Sequence, residues 1–317
     1  MTKAGIAQGC VLGVLIAGCV MAQAADEPPL RVRSQDAPRA LFFRAAEAAA
    51  ARPGAVYEAW RDEFSRLDGI IGKTLDEEIP GRSSNIVFFT RFKKELPEQV
   101  VLLHCNGNAR DPRWEGGRFF AGHWLYMNGA TLTAAVEAEE GESLLHVANA
   151  RLFKTGTGRY RNANEDIGLC ILGEDGKPDW SRSEQAQLVS VDVKAKTLRV
   201  KRGCYGTRPL AFPAGRAYAA AHMTEGPWGK NSNLLWLYNY ATCCPKDSAG
   251  RTCADIWSAH LGELFNAGGL LAAYDGLEFD VLHNQAGAYE KGQPRGADCD
   301  ADGQPDGGVV NGANAYG

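Results

Sequence analysis

Short apolar runs alternate with amphipathic stretches through the first third of the chain. Ala40-Leu-Phe-Phe-Arg44 reads as a strand, and Tyr57, Trp60, Phe64 and Leu67 recur at helical spacing. Gly69 to Leu75 reads as a second strand, Asn85 to Glu95 as a second helix stopped by Pro97, and Val100 to Cys105 as a third strand. Strands separated by single helices of this length imply parallel crossovers.

The rhythm changes from about 129 to 223, where helical period gives way to alternation and turn chemistry. Val189–Val193 and Thr197–Arg202, joined by Lys194-Ala-Lys196, form a hairpin-like unit. Arg202-Gly-Cys-Tyr-Gly-Thr207 with Phe212-Pro-Ala-Gly215 resembles a small β module of bacterial and phage surface proteins, over about thirty residues. Afterwards Leu234–Tyr240 reads as a strand, Cys253–Asn266 as a helix and Leu277–Val281 as a strand.

The expected fold class is therefore α/β, a parallel (β/α) barrel-like body carrying an inserted β-rich subdomain. Residues 25–128 hold its first part, 129–223 the insertion and 224–317 its continuation. Five strands are read where a closed barrel needs eight. The expected body is thus incomplete, an open sheet or, as favoured here, the N-terminal portion of a longer protein.

The first residues change the picture. Lys3, an apolar run from about Cys10 to Met21, and Ala22-Gln23-Ala24 before Ala25-Asp-Glu-Pro28 form the pattern of a cleaved secretion signal over 1–24. Ile16-Ala17-Gly18-Cys19 also resembles a lipobox, which would anchor Cys19 to lipid. The chain is expected to be secreted or periplasmic, with an envelope lipoprotein as the alternative. No later run is long enough to cross a bilayer. A net charge of −4 argues against a nucleic-acid partner, which calls for a basic face. Simple cleavage leaves Cys105, Cys170, Cys204, Cys243, Cys244, Cys253 and Cys299, of which Cys243 or Cys244 with Cys253 is the expected local disulfide. Zinc on Cys243, Cys244, Cys253 and His260 ranks lower, for want of C-x2-C spacing.

Chemistry concentrates at strand ends. In Tyr274-Asp-Gly-Leu-Glu-Phe-Asp-Val281, strand pleat puts Leu277, Phe279 and Val281 on one face and Glu278 and Asp280 on the other. Two carboxylates there are costly unless paired, solvated or bound to a cation. Asp280 lies nearer the C-terminal strand end, where α/β proteins keep their active sites. The pair suits a glycosidase, whose carboxylates activate water or stabilise an oxocarbenium-like transition state. A structural ion pair with Arg44 or Lys73 is the plainer alternative. Asp76, Glu77 and Glu78 follow the second strand, and Glu77 is taken as a further catalytic carboxylate. His104, Asn106 and Asn108 share one parity and could line the same mouth and hydrogen-bond sugar hydroxyls, with Asn239 and Tyr240, which end the fourth strand, as further substrate contacts. Trp114, His123, Trp124 and Tyr126 form an aromatic loop suited to stacking on a sugar ring, or to packing. Among these, Trp124 is taken as a substrate contact.

Asp298-Cys-Asp-Ala-Asp-Gly-Gln-Pro-Asp306 follows the calcium loop D-x-D-x-D-G, with Asp298, Asp300, Asp302 and Asp306 as ligands to a structural Ca²⁺. Position 12 is Val309 instead of a bidentate Glu, and a solvated acidic turn is the alternative.

His104–Pro112, Gly122-His-Trp-Leu-Tyr126, Leu235–Tyr240, Asp275–Asp280 and the Asp-rich loop together resemble an uncharacterised group of exported bacterial proteins with glycoside-hydrolase-like (β/α) barrels. The resemblance spans most of the mature chain and implies a polysaccharide or glycan partner. The expected function is glycoside hydrolysis by carboxylate acid/base chemistry on an extracellular or envelope polysaccharide. A calcium-stabilised surface protein that binds glycan or a partner without turnover is the alternative. No G-x-S-x-G elbow, P-loop or dinucleotide fingerprint is present.

Overall fold

The computed structural model describes residues 40–50, 52–73, 84–113, 116–158, 160–228, 233–281 and 295–306, with short strands at 309–310 and 313–314. The export signal expected over 1–24, Cys19, Trp114 and Asp76, Glu77 and Glu78 lie outside the described residues.

The chain opens with β1 (Leu41–Phe43), α1 (Ala45–Ala50), α2 (Tyr57–Phe64), β2 (Gly69–Gly72), α3 (Ser84–Glu95) and β3 (Val100–Asn106). The three strands pair in parallel and in chain order. The helices cover one face. Trp60 lies among Phe64, Phe88, Phe89 and Phe92, with ring centroids 5.3–5.6 Å apart, and its indole N–H donates to the Ala46 carbonyl at 2.8 Å. Ile70, Val101 and Leu103 meet these rings from the sheet. The spacing of Tyr57, Trp60 and Phe64 is the reason residues 57–64 fold as a helix here: one stripe is buried, and the other positions are charged apart from Ala59. Gly69 is required by close approach, since a Cβ there would stand 2.2 Å from the Val100 carbonyl oxygen.

Beyond β3 the architecture turns antiparallel. In order come β4 (Ala109–Arg110), β5 (Tyr126–Met127), β6 (Ala130–Thr131), β7 (Glu142–His146), β8 (Asp166–Leu172), β9 (Pro178–Asp192), β10 (Thr197–Cys204), β11 (Ala217–Ala221), β12 (Thr224–Glu225) and β13 (Leu235–Leu237). Six of them form a sheet in the order β6-β11-β8-β9-β10-β7. This sheet curls until its two edges meet, through a Leu132–Val147 bridge and hydrogen bonds Thr133 N to His146 O and Ala148 N to Thr131 O. Closure removes open edges and encloses a core of Leu132, Leu145, Ile167, Leu169, Leu198, Val200 and Phe212. After β13, α4 (Cys253–Phe265) leads into β14 (Gly276–Asp280), which returns to pair in parallel with β3; β15 (Ala297–Asp298) pairs with β5. Thr252 and Asp255 form a reciprocal capping box that starts α4.

The expected fold class is therefore corrected. Only β1-β2-β3-β14 is parallel; the described chain is sheet-rich and mostly antiparallel, with no parallel barrel. The expected fourth parallel strand over 234–240 is also corrected, because β13 pairs antiparallel with β12 and β4. Its apolar run is explained by an aromatic cluster instead: Trp236 and Tyr238 pack with Trp124 and Trp257. Hydrophobicity marks a strand as buried on both faces without saying what covers it. No helix of the described residues is long and apolar enough to cross a membrane.

One carboxylate in this cluster carries a pH signature. Asp166 accepts from the Tyr205 hydroxyl at 2.6 Å and the Trp236 indole at 2.7 Å. Burial outweighs these bonds and raises its carboxyl from 3.8 to about 6. The fold then holds this proton more tightly than the unfolded chain, so the associated stability is complete below about pH 4 and lost as pH rises towards 6. Urea midpoints between pH 4 and 6 should fall more steeply for the native chain than for Asp166→Asn. Equal slopes would remove Asp166 as the cause.

Candidate functional site

In a parallel pair, residues in register share a face. Glu278 is opposite His104 and Asp280 opposite Asn106, so all four project from the face not covered by α1–α3, at the C-terminal ends of β14 and β3. His104 is the centre of the group. Its Nδ1 is hydrogen-bonded to Glu278 Oε2, and its Nε2 stands 3.6 Å from Asp280 Oδ2. The imidazole is fully buried, with Phe43 edge-on at 4.9 Å, whereas Glu278 is 33% and Asp280 50% exposed. A ring held between two carboxylates has its orientation fixed by the more enclosed one. The more open carboxylate faces solvent and any incoming ligand.

Asn106 extends this face. Its carbonyl oxygen accepts the backbone N–H groups of Asn108 and Ala109 at 2.9 and 3.0 Å, which shapes the turn after β3, and its amide donates to Glu225 on β12. Asn108 is buried beside it, and its side-chain oxygen has no hydrogen-bond partner among the described residues. Such an acceptor costs about 1–3 kcal/mol unless water or a ligand satisfies it. Cys105 points to the opposite face. Burial and then the Glu278 charge push its thiol up to about 12, so it stays protonated and is no nucleophile.

Two expected sugar contacts are corrected. Trp124 is buried, stacked on Tyr238 at 5.7 Å and edge-on to Trp236 at 5.4 Å, and has no face left for a ligand. Asn239 is buried with both ends of its amide in use, donating to the Cys299 carbonyl at 2.8 Å and accepting from Ala241 N at 3.2 Å. Tyr240 lies half-buried against Tyr238 in the same stack. The pairing of His104 with both carboxylates escaped the sequence reading, although its shared parity with Asn106 pointed to the right face. Glu225 was missed outright, since two residues of short strand carry no pattern.

Of the four acidic residues in the Asp-rich loop, three converge: one carboxylate oxygen from each of Asp298, Asp300 and Asp306 lies within 4.8 Å of the others. Asp302 stands apart, 3.8 Å from Lys177 Nζ. Asp298 is the buried member; burial first, then repulsion from Asp306, Asp300 and Asp302, raises its carboxyl to about 7. Backbone N–H groups of Asp302 and Gly303 hold its two oxygens at 3.0 and 2.9 Å. The loop is tied to the antiparallel part of the molecule, through β15–β5 and the Asn239–Cys299 bond. This is the one group of potential metal ligands among the described residues; Cys243, Cys244, Cys253 and His260 form none. All seven described cysteines are free thiols. No protein-family model matches the chain, and no curated protein matches it.

Proposed function

We propose that the chain is a glycoside hydrolase-like protein that acts on an extracellular or envelope polysaccharide, with Asp280 as its acid/base carboxylate. The observation that carries this reading is the approach of Glu278 and Asp280 to the two nitrogens of one buried histidine, with Asp280 the open member. Glycoside cleavage needs a carboxyl group that gives a proton to the leaving oxygen and a negative charge beside the oxocarbenium-like centre. Asp280 is the group able to touch substrate. Glu278 acts through His104, fixing the ring and holding negative charge nearby, and is a positioning residue. Asn106, its amide held by Glu225 and by the Asn108 and Ala109 N–H groups, shapes the turn beside Asp280. The test is release of reducing ends from bacterial envelope polysaccharide by the full chain, and its loss on Asp280→Asn.

A second reading is favoured by the convergence of Asp298, Asp300 and Asp306: a calcium-stabilised protein that binds glycan without turnover. Calcium suits the site, because a hard dication relieves the mutual repulsion of three carboxylates and accepts oxygen ligands. In either reading the ion is structural. Calcium at a hundredfold excess over its Kd should add about 2.7 kcal/mol to stability. A chelator should reverse the gain and Asp298→Asn should abolish it. A thermal midpoint indifferent to calcium would exclude the ion.

A further inference from the structure

A concavity lies on the outer wall of the closed antiparallel sheet. Four polar side chains stand directly opposite one another across four neighbouring strands: Glu142 on β7 pairs with Lys201 on β10, Lys201 with Gln187 on β9, and Gln187 with Asp166 on β8. Residues paired in register share a face. The row runs from exposed Glu142 and Lys201, through half-buried Gln187, to buried Asp166. Its neighbours Leu188 and Val200 point the other way, into the core. Tyr205 rises at the deep end, its hydroxyl accepting from the Gln187 amide at 2.8 Å and donating to Asp166 at 2.6 Å. Together these residues and Asn164 line an open cavity of about 390 Å³. That size falls within the roughly 300–1,000 Å³ of small-molecule sites.

We propose that this cavity is a saccharide-binding subsite, taking one hydroxyl-rich, uncharged sugar unit of the polysaccharide on which Asp280 acts. The proposal rests on the glycoside-hydrolase reading for the identity of the polymer, and on the cavity itself for the chemistry. Asp166 and Asn164 are already bonded within the protein. The wall therefore offers the Glu142 carboxylate and the Gln187 amide oxygen as acceptors, the Lys201 ammonium as donor and the Tyr205 ring, a mixture that sugar hydroxyl groups satisfy. Glu142 and Asp166 set against Lys201 leave no cationic cluster for a phosphate or nucleotide. The cavity and the strand face that carries Asp280 are linked through one hairpin. Glu225 on β12 accepts from Asn106, Glu225 pairs with Leu235 on β13, and Leu234 beside it lines the cavity.

The test uses the full chain carrying Asp280→Asn, with methyl glycosides of glucose, galactose, mannose, N-acetylglucosamine and N-acetylgalactosamine as probes, followed by saturation-transfer NMR. Val189→Trp fills the cavity from an exposed rim position, and Lys201→Ala removes one donor without touching the core. At least one glycoside should bind, and each variant should weaken it about tenfold or more. Binding of none of the five, or binding unchanged in both variants, overturns the subsite. Loss of reducing-end release on Asp280→Asn is read separately in a chain with an intact cavity. Failure there removes the hydrolase reading and leaves the binding result standing.

Discussion

Arg202→Leu is expected to cost about 3–5 kcal/mol of stability, the largest loss from any single substitution in the antiparallel sheet. Arg202 and Glu184 are both fully buried and form a two-pronged pair, with Nε to Oε1 and Nη2 to Oε2 each at 2.6 Å. The guanidinium also donates to the Leu210 carbonyl at 2.7 Å and the Glu137 carbonyl at 3.2 Å, and lies 5.5 Å above the Phe212 ring. Glu184 in turn accepts the Leu210 N–H at 2.6 Å and the Gly203 N–H at 3.3 Å. Removing the arginine leaves a charge with no exit to water and two carbonyls without donors. Arg202→Lys should recover only part of the loss, because an ammonium cannot reproduce the planar fork. The double variant Arg202→Met, Glu184→Leu should be less damaging than either single change, since no buried charge remains. Urea denaturation of the native chain, Arg202→Leu, Arg202→Lys, Glu184→Leu and the double variant decides this. A single-variant loss below about 1 kcal/mol would mean that water reaches the pair.

That pair also marks how far the sequence could be read. Arg202-Gly-Cys-Tyr-Gly-Thr207 with Phe212 stood out as a small β module; its arginine proves to tie β10 to β9 through Glu184, its phenylalanine lies in the enclosed core, and its tyrosine lines the cavity. Their partners, Glu184, Asp166 and Gln187, sit in a fifteen-residue strand interrupted by register shifts or on its neighbour, and no local pattern announces them. Helices over 57–64, 84–95 and 253–265 were legible from the helical spacing of apolar residues, most openly Tyr57, Trp60 and Phe64. The parallel strands at 41–43, 69–72, 100–106 and 276–280 were legible as apolar runs between those helices. The 234–240 run had the same appearance and a different partner. What distinguishes it is long-range pairing with Ala109 and Arg110, which a single sequence does not display.

The candidate site divides along the same line. Alternation placed Glu278 and Asp280 opposite Leu277, which packs against the helices, whereas Phe279 is exposed and Val281, at φ 57°, lies past the strand. That Glu278 and Asp280 would meet the two nitrogens of His104 depended on the register between β3 and β14, two strands separated by the whole antiparallel region. Trp124 and Asn239 were misread for the converse reason. Aromatic and amide residues near strand ends look alike whether they line a mouth or fill a core. Only their neighbours decide.

Asp280→Asn is expected to lower polysaccharide turnover about 10²–10⁴-fold, the usual worth of one positioned acid/base group. The side chain is half exposed, so the fold should barely notice: a thermal midpoint within the range of ordinary surface changes, about ±0.5 kcal/mol, is expected. Asparagine keeps the size and much of the hydrogen bonding, so glycan binding should persist. Glu278→Gln should act differently, loosening the hold on the His104 ring while retaining part of the rate. The decisive measurement is reducing-end release by the full chain and by Asp280→Asn, side by side, with binding of the same polysaccharide followed in parallel. Release lost with binding kept is the expected result. Release unchanged in the variant would contradict the assignment of the chemistry to Asp280.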